Sequence, residues 1–323
     1  MASTVSGRRT LTVLDDYQNV ALSSADWSSV RAEFDIDVVT DHLDGDELVN
    51  RLAKSEVVVA MRERTAFGAE LLRSLPRLRL LVTTGMRNAS IDLAEATARG
   101  VTVCGTGSAG NGVPELVFGM MIALARGFVA EDASVRSGGW QHTIGPGLAG
   151  RTLGILGLGR LGTPVARLAQ AFDMRVIAWS RSLTVERAAE HGVTAVSRDA
   201  LFSEPDFLTI HLPLTQQTRG LVGRPELAMM RRDAYLVNTS RGPIVDEGAL
   251  LDALHDGLIA GAALDVYDSE PLPADHPLRS APRSLLLPHI GYVTTDNYRA
   301  FYGDAVADVV AYLAGEPVRV LTA

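Results

Sequence analysis

Three polar residues stand just beyond three apolar, strand-like runs, and their types form a set. Arg241 follows AYLVN in Thr239-Ser240-Arg241-Gly242. Glu270 follows AGAALDV in Tyr267-Asp268-Ser269-Glu270-Pro271, and His289 follows SLLL in Pro288-His289-Ile290-Gly291. A guanidinium can grip a carboxylate through two parallel N–H···O bonds. An imidazole can give a proton to a carbonyl oxygen as a hydride reaches the carbon, and take it back in the reverse direction. A carboxylate bonded to the far ring nitrogen would fix the tautomer and raise the imidazole pKa. Together the three suit hydride transfer on a 2-oxo or 2-hydroxy acid. Singly, each has a plainer reading: Arg241 as a helix cap, Glu270 as a turn carboxylate, His289 as a satisfied buried histidine.

A hydride needs a carrier, and a second motif offers a seat for one. GILGLGRLGTPVA runs from Gly154 to Ala166, with Gly157-Leu158-Gly159-Arg160-Leu161-Gly162 as a G-x-G-x-x-G between a strand pattern and a helix pattern. The spacing assigns Gly157 to the tight turn, Gly159 to the approach of a pyrophosphate and Gly162 to close helix–strand packing. The helix N-terminus behind Arg160 and Leu161 would offer N–H groups and a positive dipole to the phosphates. The next strand pattern, RVIAWS, ends at Ser180-Arg181-Ser182, where an NAD site usually carries Asp or Glu for the ribose 2′-hydroxyl. Arg181 there either pairs with a 2′-phosphate, beside Ser180 and Ser182, or is a solvated surface residue. The first alternative tilts the expected coenzyme, NAD(P)(H), towards NADP(H).

In an open parallel sheet, ligands lie beyond the carboxyl ends of the strands, so strands must position these groups. Candidates fall in two series. The first is LTVLD (11–15), IDVVT (36–40), VVVAM (57–61), LRLLVT (78–83) and VTVC (101–104). The second is LGILGL (153–158), RVIAWS (175–180), DFLTIHL (206–212), AYLVN (234–238), AGAALDV (260–266) and SLLLP (284–288). Near-continuous apolar strands alternating with helical patterns indicate parallel sheets covered on both faces. GVPELVFGMMIALARGF (112–128) reads as one long buried helix with Pro114 in its first turn. The last helical pattern, 296–315, is too short to stand alone and should fold back onto the first series. The expected fold is therefore α/β with two doubly wound parallel-sheet domains. A Rossmann dinucleotide-binding domain, 105–290, is inserted in a flavodoxin-like substrate domain, 1–104 plus 291–323.

The bulk numbers agree. A chain of 323 residues is long for one core. With a net charge of −8 and no Lys/Arg block, a nucleic-acid partner is not expected. The single cysteine, Cys104, excludes an internal disulfide and fits a reducing compartment. No leader and no membrane-spanning run of about 20 apolar residues is visible, so a cytoplasmic location and no membrane partner are expected. The seven histidines show no HxxxH spacing, so no metal is expected. No Gly-x-Ser-x-Gly elbow supports serine hydrolysis.

Taken together, GILGLGRLG, HLPLTQQTRGLV, LVNTSRGPIVDEGALLDAL, GAALDVYDSEPLP and LLPHIGY resemble the D-isomer-specific 2-hydroxyacid dehydrogenases, over nearly the whole chain. The resemblance implies that Arg241 binds the substrate's carboxylate and carbonyl, that His289 is the acid/base and that Glu270 is its partner. It implies that Asp265 bonds the nicotinamide carboxamide, that Thr239 and Arg241 border the cofactor, with Gly291 beside them, and that His211-Leu212-Pro213 lines its adenosine side. The family's carboxylate-holding glycine loop corresponds to Thr84-Gly85-Met86-Arg87-Asn88-Ala89. This departs from the commoner pattern, which has a second glycine and an Asp-Asn pair. Gly85 and Met86 would hold substrate. Arg87, with Arg62 from AMRERT, would either bind a second anionic group or form surface salt bridges. Asn111 and Glu115 would serve as hinge and positioning residues. The implied substrate is a small 2-oxo or 2-hydroxy acid such as glyoxylate, hydroxypyruvate or phosphohydroxypyruvate. The implied assembly is a homodimer built on 123–141, with Trp140 as anchor. Alternatives are a dehydrogenase of an unusual small acid, of the formate or phosphite type, and a dinucleotide-sensing corepressor-like scaffold.

Overall fold

The computed structural model describes residues 8–110 and 112–323; Asn111 therefore lies outside the described residues. The chain divides into two compact units. One is the chain up to Gly110 together with Val293–Ala323, and the other is the stretch between them, ending at Tyr292.

The first unit carries five parallel strands, β1 (Arg9–Val13), β2 (Phe34–Val38), β3 (Ser55–Ala60), β4 (Leu80–Thr83) and β5 (Thr102–Gly105), in the order β2-β1-β3-β4-β5. That is the flavodoxin-like order, with its switch point between β1 and β3. Val57, Val58, Val59 and Ala60 are all buried, as a strand covered on both faces requires. The helix Thr295–Leu313 belongs to this unit: Tyr302 packs by Trp27 at 6.3 Å between ring centroids, and Tyr298 donates to Gln18 at 3.0 Å.

The second unit carries β6 (Thr152–Leu156), β7 (Arg175–Trp179), β8 (Thr194–Ala195), β9 (Phe207–Ile210), β10 (Tyr235–Asn238), β11 (Gly261–Leu264) and β12 (Ser284–Leu286), in the order β12-β11-β10-β9-β6-β7-β8, all parallel. This is the Rossmann order extended by one strand, with the switch point between β6 and β9. Alternate residues feed two cores. Leu156, Leu208, Leu236 and Leu264 face one, and Ile155, Phe207, Val237 and Ala263 face the other.

The eleven expected strands form within two residues of their expected bounds. Two expectations are corrected. The two-residue edge strand β8 was not anticipated, being too short to show a period. The helix expected over 112–128 ends at Ala125. Gly127 takes φ +62, and a second helix, Phe128–Arg136, departs at 60° to the first. Among the described residues no single helix is long and apolar enough to cross a membrane.

Candidate active site

The glycine loop leaves β6 and enters the helix Gly162–Ala171. Gly157 has φ +105, and a Cβ there would stand 2.8 Å from Leu212 Cδ2 and 2.9 Å from the His211 carbonyl. A Cβ on Gly162 would collide with the Gly157 carbonyl, so the helix start sits directly on the turn. Gly159 is the contrast: no heavy atom lies within 4 Å of where its Cβ would be. One glycine turns, one packs and one leaves an approach to the backbone. Arg160 is exposed and Leu161 half-buried at the head of the helix, whose first N–H groups lack intrahelical acceptors.

Around this loop the ends of β7, β9 and β10 add polar atoms. Ser180 is half-buried just past β7, and the exposed Arg181 donates to Gln217 Oε1. The His211 amide donates to Leu156 O at 2.8 Å, which ties the end of β9 to β6. Its Nε2 lies 3.0 Å from Thr209 Oγ1, and burial pushes its pKa down to about 4, so the ring stays neutral. Nδ1 of His211 and Oγ1 of Thr239 are buried without a hydrogen-bond partner among the described residues. Unsatisfied buried polar atoms are costly in a finished core. Two of them at strand ends beside an open glycine backbone fit a bound dinucleotide. The Pro213 carbonyl accepts from Thr218 at 2.7 Å, which orders the turn after His211.

The three reactive side chains follow three adjacent strands. Asn238, Leu264 and Leu286 are register partners at the ends of β10, β11 and β12. With strands about 4.8 Å apart, the loops that leave them start within about 10 Å of one another. A Cβ on Gly242 would collide with the Tyr267 carbonyl carbon, so the loop of Arg241 rests against the loop of Glu270. Glu270 Oε2 accepts from His289 Nδ1 at 2.6 Å, and its Oε1 accepts from the Tyr267 amide at 2.9 Å. A carboxylate only accepts, so the proton between the two is on Nδ1. His289 has φ +55, which costs a non-glycine residue about 1–3 kcal/mol and needs support. Asp265 supplies it: its carboxylate, fully buried at the end of β11, accepts from Ile290 N at 2.7 Å and Gly291 N at 2.9 Å. Burial pushes the Asp265 carboxyl up to about 6 against those two bonds. Gly291 fits because a Cβ there would stand 3.1 Å from Asp265 Oδ2.

Four positioning side chains escaped the sequence reading. Asn238 Oδ1 accepts from Ser240 N at 3.0 Å while its Nδ2 donates to Arg241 O at 3.0 Å, so it brackets the backbone of the arginine. Ser240 Oγ donates to the Leu212 carbonyl, and Arg241 Nη1 donates to Ser240 O at 2.6 Å. The Tyr267 hydroxyl donates to Leu287 O at 2.9 Å, two residues before His289. The fourth is in the first unit, where Asn88 Nδ2 donates to Arg62 O at 2.6 Å and to Thr83 Oγ1 at 2.9 Å. The one signal available was an Asn closing an apolar strand in LVNTSRG.

The remaining expected residues also lie in the first unit, past β3 and β4. Gly85 has φ +84, and its amide donates to Thr106 Oγ1 at 2.8 Å, so that N–H is already engaged. Arg62 Nη1 would lie 3.6 Å from a Cβ on Gly85, which places the guanidinium against the turn. Met86 and Arg87 are exposed, as is Glu115 in the first turn of its helix in the second unit.

Comparison with known proteins gives a consistent result. Residues 118–291 match the family model described as D-isomer specific 2-hydroxyacid dehydrogenase, NAD binding domain. The chain is 38% identical over 257 residues to a protein named glyoxylate reductase from Thermococcus litoralis, covering 76% of this chain and 77% of that one. It is 35% identical over 289 residues to a glycerate dehydrogenase from Methylorubrum extorquens, covering 86% and 89%. A crystal structure described as phosphoglycerate oxidoreductase from Vibrio cholerae superposes with a TM-score of 0.89 at 34% identity, over 95% of this chain and 99% of that one.

Proposed function

The chain belongs to the D-isomer-specific 2-hydroxyacid dehydrogenase family, an oxidoreductase family that moves a hydride between a nicotinamide coenzyme and a 2-oxo or 2-hydroxy acid, and from that membership we propose how its residues divide the work. The second unit holds the coenzyme: Gly157, Gly159, Arg160, Leu161 and Gly162 receive the pyrophosphate, Ser180 and Arg181 the adenosine ribose, and His211, Pro213, Thr239, Asp265 and Gly291 the remaining edge. When bound, NAD(P)H supplies the hydride. Arg241 binds the carboxylate and carbonyl of the 2-oxo acid and orients the carbonyl carbon. His289 gives its Nε2 proton to the carbonyl oxygen as it gains charge, and takes that proton back in the oxidative direction. Glu270 holds the imidazole by Nδ1 and balances the charge that the ring carries as an imidazolium. The first unit recognises the rest of the substrate through Arg62, Met86 and Arg87, on the turn that Gly85 makes with its own amide given to Thr106.

The observation that carries this reading is the 2.6 Å bond from His289 to Glu270 on strand ends next to that of Arg241. The relatives' names point to glyoxylate, hydroxypyruvate or phosphohydroxypyruvate as substrate class. Arg181 beyond β7, with no carboxylate in its place, supports NADPH over NADH. Phe128, Val129, Val135, Trp140 and Ile144 are exposed together on 128–144, which supports a second copy of this chain as partner. A lone thiol at Cys104, buried in β5, fits the cytoplasm.

The test is a panel of short 2-oxo acids assayed with NADH and NADPH in parallel, for wild type and Arg181→Ala, following absorbance of the reduced coenzyme. Turnover with at least one acid is expected, together with a rise in KM for NADPH of about 10-fold in Arg181→Ala, as for loss of one charged hydrogen bond. Absence of turnover with every acid would overturn the reading. An unchanged KM for NADPH would remove the coenzyme preference alone.

A further inference from the structure

At the switch point of the first unit, between β1 and β3, a buried carboxylate joins the loops that follow three neighbouring strands. Asp15 stands two residues past β1 with φ +56, its side chain 1% exposed. Its Oδ2 accepts from Thr65 Oγ1 at 2.8 Å, from the loop after β3. Its Oδ1 lies 3.2 Å from His42 Nδ1, in the loop after β2, and 3.3 Å from the Tyr17 hydroxyl in its own loop. A left-handed backbone at a non-glycine residue persists only where the surroundings over-determine it. A buried carboxylate likewise persists only when its oxygens are satisfied. Both conditions are met here by residues from the loops themselves.

The loop pinned through Thr65 is the one that carries the arginines. Arg62 has φ +38, and its guanidinium rests against the Gly85 turn. The Arg64 guanidinium lies 4.7 Å from the centroid of the Tyr17 ring. Burial, with the Asp15 charge next, pushes the Tyr17 phenol up to about 12, which keeps it a hydrogen donor. The Asp15 carboxylate thus fixes the end of the loop directly, through Thr65, and the platform under Arg64 indirectly, through Tyr17.

We propose that Asp15 is a positioning residue for substrate recognition: its bonds to Thr65 and Tyr17 hold loop 61–65 in the geometry in which Arg62 meets the anionic substrate. This rests on the proposed substrate role of Arg62. Asp15 touches neither substrate nor coenzyme and acts through the loop alone.

The variants are Asp15→Asn, which keeps the shape and loses the charge, Thr65→Val, which loses the donor, and Thr65→Ser, which restores it. Expected for Asp15→Asn and Thr65→Val is a rise of about 10-fold in KM for the 2-oxo acid, as for loss of one charged hydrogen bond. kcat should stay within about 3-fold and the coenzyme Kd, read by fluorescence, should be unchanged. Thr65→Ser should return KM to the wild-type value. Amide hydrogen exchange of 61–65 should quicken in both impaired variants, while 152–158 keeps its protection. If Asp15→Asn does not fold, the pair at Thr65 carries the test. Unchanged KM with unchanged exchange in folded variants overturns the proposal, as does a joint fall of kcat, coenzyme affinity and thermal midpoint. Exchange is read without substrate, so a wild type that turns over no 2-oxo acid sinks the functional reading and leaves this result standing or falling separately.

Discussion

The strand ends of the second unit and the turns of the first are built differently. In the second unit the side chains are held: His289 by Glu270, Glu270 by the Tyr267 amide, and the Arg241 guanidinium by the Ser240 carbonyl. In the first unit the backbone is held: Gly85 by Thr106, the Arg62 carbonyl by Asn88 and loop 61–65 by Asp15, while the Met86 and Arg87 side chains stand exposed. Proton and hydride transfer tolerate little misplacement, since about 1 Å can cost 10²-fold in rate. Recognition of the variable end of a substrate tolerates more, and exposed cations on a fixed turn can serve several anions.

The contrast orders the expected effects. Arg241→Ala, at the held site, should lower kcat/KM for the 2-oxo acid by about 10³-fold, the cost of truncating one partner of a desolvated charge pair. Steady-state kinetics would show it, and a fall under 10-fold would break the contrast at its strongest point. Next, Gly162→Ala forces the helix start off the Gly157 carbonyl and should weaken NAD(P)H binding by about 10²-fold, seen by coenzyme fluorescence. Glu270→Gln keeps an acceptor for the Tyr267 amide and loses the charge facing His289. We expect kcat to fall by about 10–10²-fold with coenzyme Kd unchanged. Arg87→Ala, on the exposed side of the comparison, should change KM by only about 3–5-fold and leave kcat alone. A larger loss in kcat would move Arg87 into the held class.

A separate effect is in stability rather than in rate or binding. Each unit buries one carboxyl that burial pushes up to about 6: Asp265 in the second, and in the first Asp308, against the pull of Arg319 at 2.9 Å. An unfolded Asp titrates near 3.9, so the folded protein holds more protons. The stability that this protonation adds is fully present below about pH 4 and is lost as pH rises through about 6. Asp308→Asn has no such proton to lose. Across this window the variant should gain on wild type by on the order of 2 kcal/mol, read as the difference in urea midpoints at pH 4 and pH 7. A difference that is flat with pH would contradict it.

The sequence was most legible where chemistry and local geometry coincide. GLGRLG announces its turn because Gly157 and Gly162 answer local steric needs, and apolar strands followed by Arg241, Glu270 and His289 announce the strand ends that carry the proposed site. The helix break at Gly127 was hidden inside ALARGF, whose apolar spacing continues across it. Asn238, Tyr267 and Asp15 were illegible for a different reason. Their work is done by hydrogen bonds to backbone or side chains on other loops, and such partners exist only once neighbouring strands are in register. Asp265 was legible in part: the resemblance named it for the coenzyme, while the structure also gives it the turn that carries His289.

In the proposed division of work His289, held by Glu270, moves the proton while other residues hold the coenzyme. Single-turnover kinetics of His289→Gln test it most directly, with the preformed NAD(P)H complex mixed with a saturating 2-oxo acid that wild type reduces. Expected are an unchanged coenzyme Kd and oxidation of the bound coenzyme slowed by about 10³-fold. Oxidation at the wild-type rate in that variant would contradict it.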